Sequence, residues 1–138
     1  PREASDDNGD TAYNVAKELI KTYPDLKGIM GTSSFDAPGV ARAIQELGLV
    51  DKFFTSGTGM PADNAELLKS GVIKSLTLWD PAKSGEAMVD LAGEEIGAPV
   101  NLNVDGYTEM NFREGSETVL EGQGWITIDA DNVDDFGF

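Results

Sequence analysis

The sequence has 138 residues, a net charge of −15 and neither cysteine nor histidine. A chain of this length can bury a core without disulfides or metals. The missing side chains exclude thiol and imidazole catalysts and the usual zinc sites, and the acidity argues against a nucleic-acid-binding surface. Because no run of about 20 apolar residues occurs, we predict no membrane-spanning segment.

Up to residue 97, segments with helical spacing of apolar residues alternate with short apolar segments. The predicted helices are 11–23, 37–47, 62–70 and 81–96, with Asp10 as the first N-cap and Gly48 and Gly71 after two helix ends. The predicted strands are 26–31, 52–56 and 72–79. This order predicts an α/β fold, a three-layer parallel sheet with helices on both faces.

After residue 97 the sequence changes to short β-type runs separated by glycines. These runs cover 107–112, 118–120 and 125–128, and 131–138 is predicted to be one helical turn that ends in a buried aromatic. We therefore predict that residues 1–97 form most of one α/β lobe. Residues 98–138 are predicted to add accessory β segments and a terminal hinge or hook.

The first loop of interest, GTSSFDAPGV at 31–40, follows the first predicted strand, where ligands bind in open α/β sheets. Pro38 fits the first turn of the next helix, and we expect the amides of Gly39 and Val40 to be free and to face a crevice. Asp36 either caps this helix or binds a ligand hydroxyl. Phe35 can contact the apolar face of a sugar.

Two further loops follow the next two strands. Thr58 and Gly59 lie in a glycine-containing loop that is either flexible or lets backbone approach a ligand. Trp79 can stack on a sugar while Asp80 accepts from its hydroxyls, although a core tryptophan followed by an Asp-Pro turn or helix cap explains the pair equally well. The chain shows no catalytic, cofactor or metal-binding pattern, and it is predicted not to be an enzyme.

Several motifs resemble the C-terminal part of type I periplasmic sugar-binding proteins of ABC importers, nearest to the rhamnose and autoinducer-2 branch. They are YPDLKGI at 23–29, APG at 37–39, KSG at 69–71, LWD at 78–80 and ITIDADNVDDFGF at 126–138. The resemblance implies two lobes that close around a small sugar, which a membrane permease then receives. It also implies export to the periplasm or cell exterior, and a first lobe upstream of Pro1.

The resemblance assigns ligand contacts to the backbone at Pro38 and Val40, where the branch usually has alanine at the second position. In the wider family, positions matching Thr58, Gly59 and the Trp79-Asp80 pair also reach the ligand. The helix at 81–97 would pack on the first lobe, so its apolar face is expected to be exposed, repacked or buried against a second copy. That face consists of Ala87, Met88, Leu91 and Ala92.

An alternative class is the effector-binding domain of a LacI-type transcriptional regulator, which shares this fold and sugar site. Such a protein needs a basic helix-turn-helix upstream, whereas 13 of the 25 acidic residues here lie from Glu86 onward. The acidic surface therefore favours the transporter component.

Overall fold

The computed structural model describes residues 1–95, 97, 107–117 and 119–138. Contacts divide the chain into two compact units. The first comprises Pro1–Leu78 and Thr127–Phe138, and the second comprises Trp79–Ile126. This division differs from the predicted one at residue 97, because the helix after Asp80 groups with the β segments that follow it.

Helices and strands alternate in the order that the sequence predicts. The helices are α1 Gly9–Thr22, α2 Asp36–Glu46, α3 Pro61–Lys69 and α4 Pro81–Glu95. The strands are β1 Gly28–Met30, β2 Phe54–Gly57, β3 Ile73–Trp79, β4 Thr108–Phe112, β5 Leu120–Gln123 and β6 Trp125–Ile128. Four strands form one sheet in the order β1-β2-β3-β6, in which β1, β2 and β3 are parallel. The predicted α/β class is confirmed.

Local capping explains where the helices of the first unit begin and end. The N-cap of α1 is Asn8, whose Oδ1 accepts from the amides of Asp10 and Thr11 at 2.9 and 3.0 Å, so the prediction of Asp10 is wrong. Asp10 lies in the first turn instead and pairs with Arg42. Gly48 follows α2 with a φ of +66°, the left-handed conformation that glycine adopts without strain.

The core of the first unit contains aliphatic side chains from helices and strands. The largest fully buried ones are Ile44, Leu68, Ile73, Leu76 and Ile128. Helices α1 and α2 pack closely where Gly39 faces Gly9 and Ala12, since a Cβ on Gly39 would lie 2.6 Å from the Gly9 carbonyl oxygen. This contact positions the amino-terminal end of α2, which adjoins the candidate site.

The C-terminal segment contributes to the main sheet through β6 and to the core through Val133. A short 3-10 turn spans Val133–Asp135. The predicted buried aromatic is wrong: Phe136 and Phe138 are only half-buried, with their ring centroids 6.0 Å apart, and Val133 is the buried residue.

In the second unit, β4 and β5 form a two-stranded antiparallel sheet. The run predicted at 118–120 begins as a strand only at Leu120 and extends to Gln123, and Thr118 and Ile96 lie outside the described residues. On α4, Ala87 is buried and Leu91 half-buried, whereas Met88 is 63% exposed and Ala92 is also exposed. Among the described residues, no helix is long and apolar enough to cross a membrane.

Candidate functional site

The loops after β1 and β2 leave the sheet side by side. Met30 and Ser56 are paired in the parallel register, and the Gly31 amide donates to the Ser56 carbonyl at 2.9 Å. A Cβ on Gly57 would lie 2.8 Å from the carbonyl oxygen of Gly31, so the two backbones touch at this edge. Both loops therefore lie at the carboxyl ends of their strands, as the sequence predicts, and their backbones meet there.

Asp36 organises the loop that precedes α2. Its Oδ2 accepts from the amides of Thr32 and Ser33 at 2.9 and 3.0 Å, and its Oδ1 accepts from the Ser5 hydroxyl at 2.5 Å. The carboxylate thus folds the loop back on itself. It does not cap the amides of α2, which was one of the two roles that the sequence suggested for Asp36.

The same hydrogen bonds set the charge state of Asp36. Partial burial by itself would raise the pKa of its carboxyl group, but the bonds from Ser5, Ser33 and Thr32 outweigh burial and lower the pKa below its ordinary value. Asp36 is therefore ionised at neutral pH, and the charge strengthens all three bonds.

The amides expected to be free at the start of α2 are not free. The Gly39 amide donates to the Phe35 carbonyl at 3.1 Å, and Val40, the fifth residue of α2, lies beyond the four N–H groups that a helix leaves unpaired. That part of the prediction is wrong, because α2 begins one residue earlier than expected. In this turn it is the amide of Ala37 that has no hydrogen-bond acceptor among the described residues.

The side chains of this turn differ in accessibility. Phe35 is 51% exposed, and Thr32 and Ser34 are exposed with it. Pro38 is half-buried, and Val40 is only 3% exposed. A ligand at this loop can therefore reach the Phe35 ring and the two hydroxyls, while the Val40 side chain belongs to the core.

The loop after β2 is packed tightly. A Cβ on Gly59 would lie 3.2 Å from Asn64 Nδ2 and 3.5 Å from a methyl group of Leu76. Neither Gly57 nor Gly59 has a positive φ. Close packing, and not flexibility, accounts for these glycines, and Thr58 between them is half-buried.

Asn64 on α3 is a polar residue that the sequence analysis did not select. Its Nδ2 donates to the Met60 carbonyl at 2.9 Å, which holds the end of the second loop, whereas its buried Oδ1 has no partner in the described part of the chain. An asparagine inside an otherwise ordinary amphipathic helix gives no local signal of this role.

The amino-terminal segment also contacts the loop before α2. Asp6 and Asp7 both adopt positive φ, a conformation that aspartate tolerates better than most residues. This turn brings Ser5 to Asp36 and lets the Ser33 hydroxyl donate to the Asp7 carboxylate. Contacts across more than 25 residues leave no short-range pattern, so sequence reasoning missed them.

A cavity of about 620 Å³ borders the same loop. It lies between α1, β1 and the first residues of the chain, and its apolar lining includes Ala16, Leu19, Ile29 and Met30. The polar part of its wall consists of Arg2, Glu3, Ser5, Thr32 and Asp36, and the carboxylate of Asp36 is already hydrogen-bonded.

The second unit contains the remaining two candidates, Trp79 and Asp80. The Oδ1 of Asp80 accepts from the amides of Ala82 and Lys83 at 2.8 and 3.2 Å, so Asp80 caps α4. Trp79 is 48% exposed and is therefore not the core tryptophan of the alternative interpretation. Its ring contacts Trp125 edge to face, a partner that sequence reasoning did not identify.

The parallel sheet thus presents exposed loops at the carboxyl ends of its strands, and the described residues contain no group of three or more side chains that could hold a metal ion. Comparison with known families assigns the chain to a family. The periplasmic binding protein domain family matches residues 1–98. The chain belongs to this family, and the prediction that it is not an enzyme is thereby confirmed.

The individual relatives share no more than a quarter of their aligned residues with this chain. An ABC transporter periplasmic-binding protein of Escherichia coli, YphF, is 25% identical over 133 residues, which cover 90% of this chain and 37% of the relative. A sugar ABC transporter structure from Actinomyces odontolyticus is 24% identical with a TM-score of 0.75, covering 97% of this chain and 44% of that one. A solute-binding protein from Clostridium phytofermentans with bound L-rhamnose is 15% identical with a TM-score of 0.72, covering 96% and 46%. The chain thus spans less than half the length of these relatives.

Proposed function

We propose that this chain is part of the solute-binding component of an ABC importer and that it helps to bind a small neutral sugar or sugar-like signal. The observation that carries the proposal is the family match over residues 1–98, which includes both loops at the carboxyl edge of the sheet. The relatives support it, because they are transporter components and several of their structures contain sugars, among them L-rhamnose and D-tagatopyranose.

The loop before α2 supplies contacts that suit a sugar. The exposed Phe35 ring can cover an apolar face, and the hydroxyls of Thr32 and Ser34 can exchange hydrogen bonds with the ligand. Asp36 acts by holding this loop in shape, since its two oxygens already accept three hydrogen bonds. Pro38, Val40, Thr58, Gly59, Trp79 and Asp80 remain proposed ligand-binding positions from the resemblance.

The rest of the site belongs, in this proposal, to a first lobe outside this sequence. The ligand would shift the protein toward the closed two-lobe state to the extent that it binds this state more tightly than the open one. After export, the closed form would be presented to a membrane permease. One lobe alone should bind weakly, because fewer contacts offset the same entropy of association. Rhamnose, ribose-like sugars and autoinducer-2-like furanoses are the ligands we propose.

Calorimetric titration of the complete gene product that contains this chain tests the proposal. We expect saturable heat with at least one of L-rhamnose, D-ribose and autoinducer-2, and weaker binding when Phe35 is replaced by alanine. Absence of heat with every one of these ligands would contradict the proposal.

A further inference from the structure

Both tryptophans of the chain lie together in the second unit. The rings of Trp79 and Trp125 meet edge to face, with centroids 5.6 Å apart and planes at 75°. Both are accessible, at 48% and 61% exposure. Two large aromatic residues that contact each other and remain open to solvent are typical of a binding surface and not of a core.

The two rings line a pocket of about 200 Å³. The described residues of its wall are Trp79, Ser84, Tyr107, Gly122, Gly124 and Trp125. The Tyr107 ring packs closely against Gly124, since a Cβ at that position would be only 2.6 to 2.9 Å from the ring. The glycine therefore allows a third aromatic ring to approach the backbone next to the tryptophan pair.

The chemistry of this wall selects a type of ligand. None of the six described residues in its wall is charged, in a chain whose net charge is −15. The overall charge disfavours anions, and no described residue of the wall supplies a carboxylate to hold a cation. Aromatic faces together with the hydroxyls of Ser84 and Tyr107 suit a small, neutral ring with apolar faces and a polar rim, which is the character of a monosaccharide.

We propose that Trp79, Trp125 and Tyr107 form a pocket that stacks one pyranose or furanose ring. The inference rests on the proposed function and deepens it, because it adds Trp125 and Tyr107, to which the family resemblance assigns no ligand contact. Each of the three residues comes from a different element: the end of β3, the start of β6 and the position before β4.

The chain reports on this pocket directly, because its only two tryptophans both line it. The 138-residue chain is titrated with L-rhamnose or D-ribose up to about 100 mM, because one lobe alone should bind weakly. Intrinsic fluorescence and saturation-transfer NMR spectra are recorded. We expect a saturable fluorescence change, with transfer to the ring protons of the sugar. Trp125→Leu and Tyr107→Leu should each weaken binding about three- to tenfold, as loss of one aromatic contact predicts.

Two further variants separate local from general effects. Gly124→Ala keeps every aromatic residue but displaces Tyr107, so it should weaken binding as Tyr107→Leu does. Phe112→Leu removes an exposed aromatic residue of β4 outside this pocket and should leave binding unchanged. Circular dichroism confirms that each variant is folded.

The outcomes distinguish this pocket from the function on which it rests. If sugar binds but all three pocket variants bind as tightly as the parent chain while Phe35→Ala binds more weakly, the pocket is refuted and the proposed function stands. If no sugar receives saturation from the chain, the pocket is refuted, and calorimetry on the complete gene product decides the proposed function separately.

Discussion

Replacing Asp36 tests how the candidate loop is held. The carboxylate accepts two backbone amides and one hydroxyl, so Asp36→Ala removes three hydrogen bonds at once. Hydrogen bonds to a charged group contribute about 1.5–3 kcal/mol each when buried, and partial exposure reduces this. We expect Asp36→Ala to lower the free energy of unfolding by about 2–3 kcal/mol and Asp36→Asn, which keeps one acceptor oxygen, by about 1 kcal/mol.

The effect should depend on pH. Because the folded state lowers the pKa of the Asp36 carboxyl group below its ordinary value, the ionised carboxylate stabilises the fold above that ordinary value, and this contribution disappears as the pH falls through the folded pKa. The difference between the parent chain and Asp36→Asn should therefore be constant from pH 7 to about pH 5 and decrease in more acidic solution.

Urea unfolding followed by far-ultraviolet circular dichroism at pH 7, 5 and 3 measures these differences. Asp51→Asn is the matched control, since Asp51 is exposed and the described part of the chain gives it no hydrogen bond or ion pair. It should change stability by less than about 0.5 kcal/mol. Equal stability of Asp36→Asn and the parent chain at pH 7, or a difference at pH 3 as large as the difference at pH 7, would refute this role of Asp36.

Four other variants test glycine packing, the buried asparagine and the exposed aromatic ring. Gly57→Ala should destabilise the chain by about 1–3 kcal/mol, because its Cβ would meet the Gly31 carbonyl. Gly85→Ala in α4 has open space around its Cβ and should stabilise the chain by about 0.5–1 kcal/mol. A denaturant midpoint for Gly57→Ala at or above that of Gly85→Ala would contradict this. Asn64→Asp buries a carboxylate in place of an amide and should lower the free energy of unfolding by about 2–3 kcal/mol at pH 7. The loss should become smaller in acid as the carboxylate is protonated, and a loss that does not depend on pH would contradict the buried position of this side chain. Phe35→Ala should alter the unfolding free energy by less than about 0.5 kcal/mol, since the ring is half exposed, and a larger loss would mean that Phe35 serves the fold and not a ligand.

The fold was predictable because its signals are local. Apolar residues at helical spacing and glycines such as Gly48 and Gly71 depend only on neighbouring residues, and α1 to α4 appear in the predicted order with bounds that differ by a few residues. The sheet assignment of β6 was missed, because a four-residue strand carries no information about its pairing partner.

The details of the site were less predictable because they depend on distant contacts. Asp36 looks like a helix cap in sequence, but Ser5 and the folded-back loop determine what its oxygens bind. The expectation of free amides at Gly39 and Val40 failed because it depended on the exact first residue of α2. The pairing of Trp79 with Trp125 joins residues 46 positions apart, beyond the reach of any motif.

Amide-resolved NMR titration of the isotope-labelled chain with L-rhamnose and D-ribose tests the central claim most directly. We expect saturable shifts at the exposed turn before α2, centred on Phe35 and Ala37, with the interior of α3 unchanged. Shifts that avoid this turn altogether would contradict the proposed binding edge.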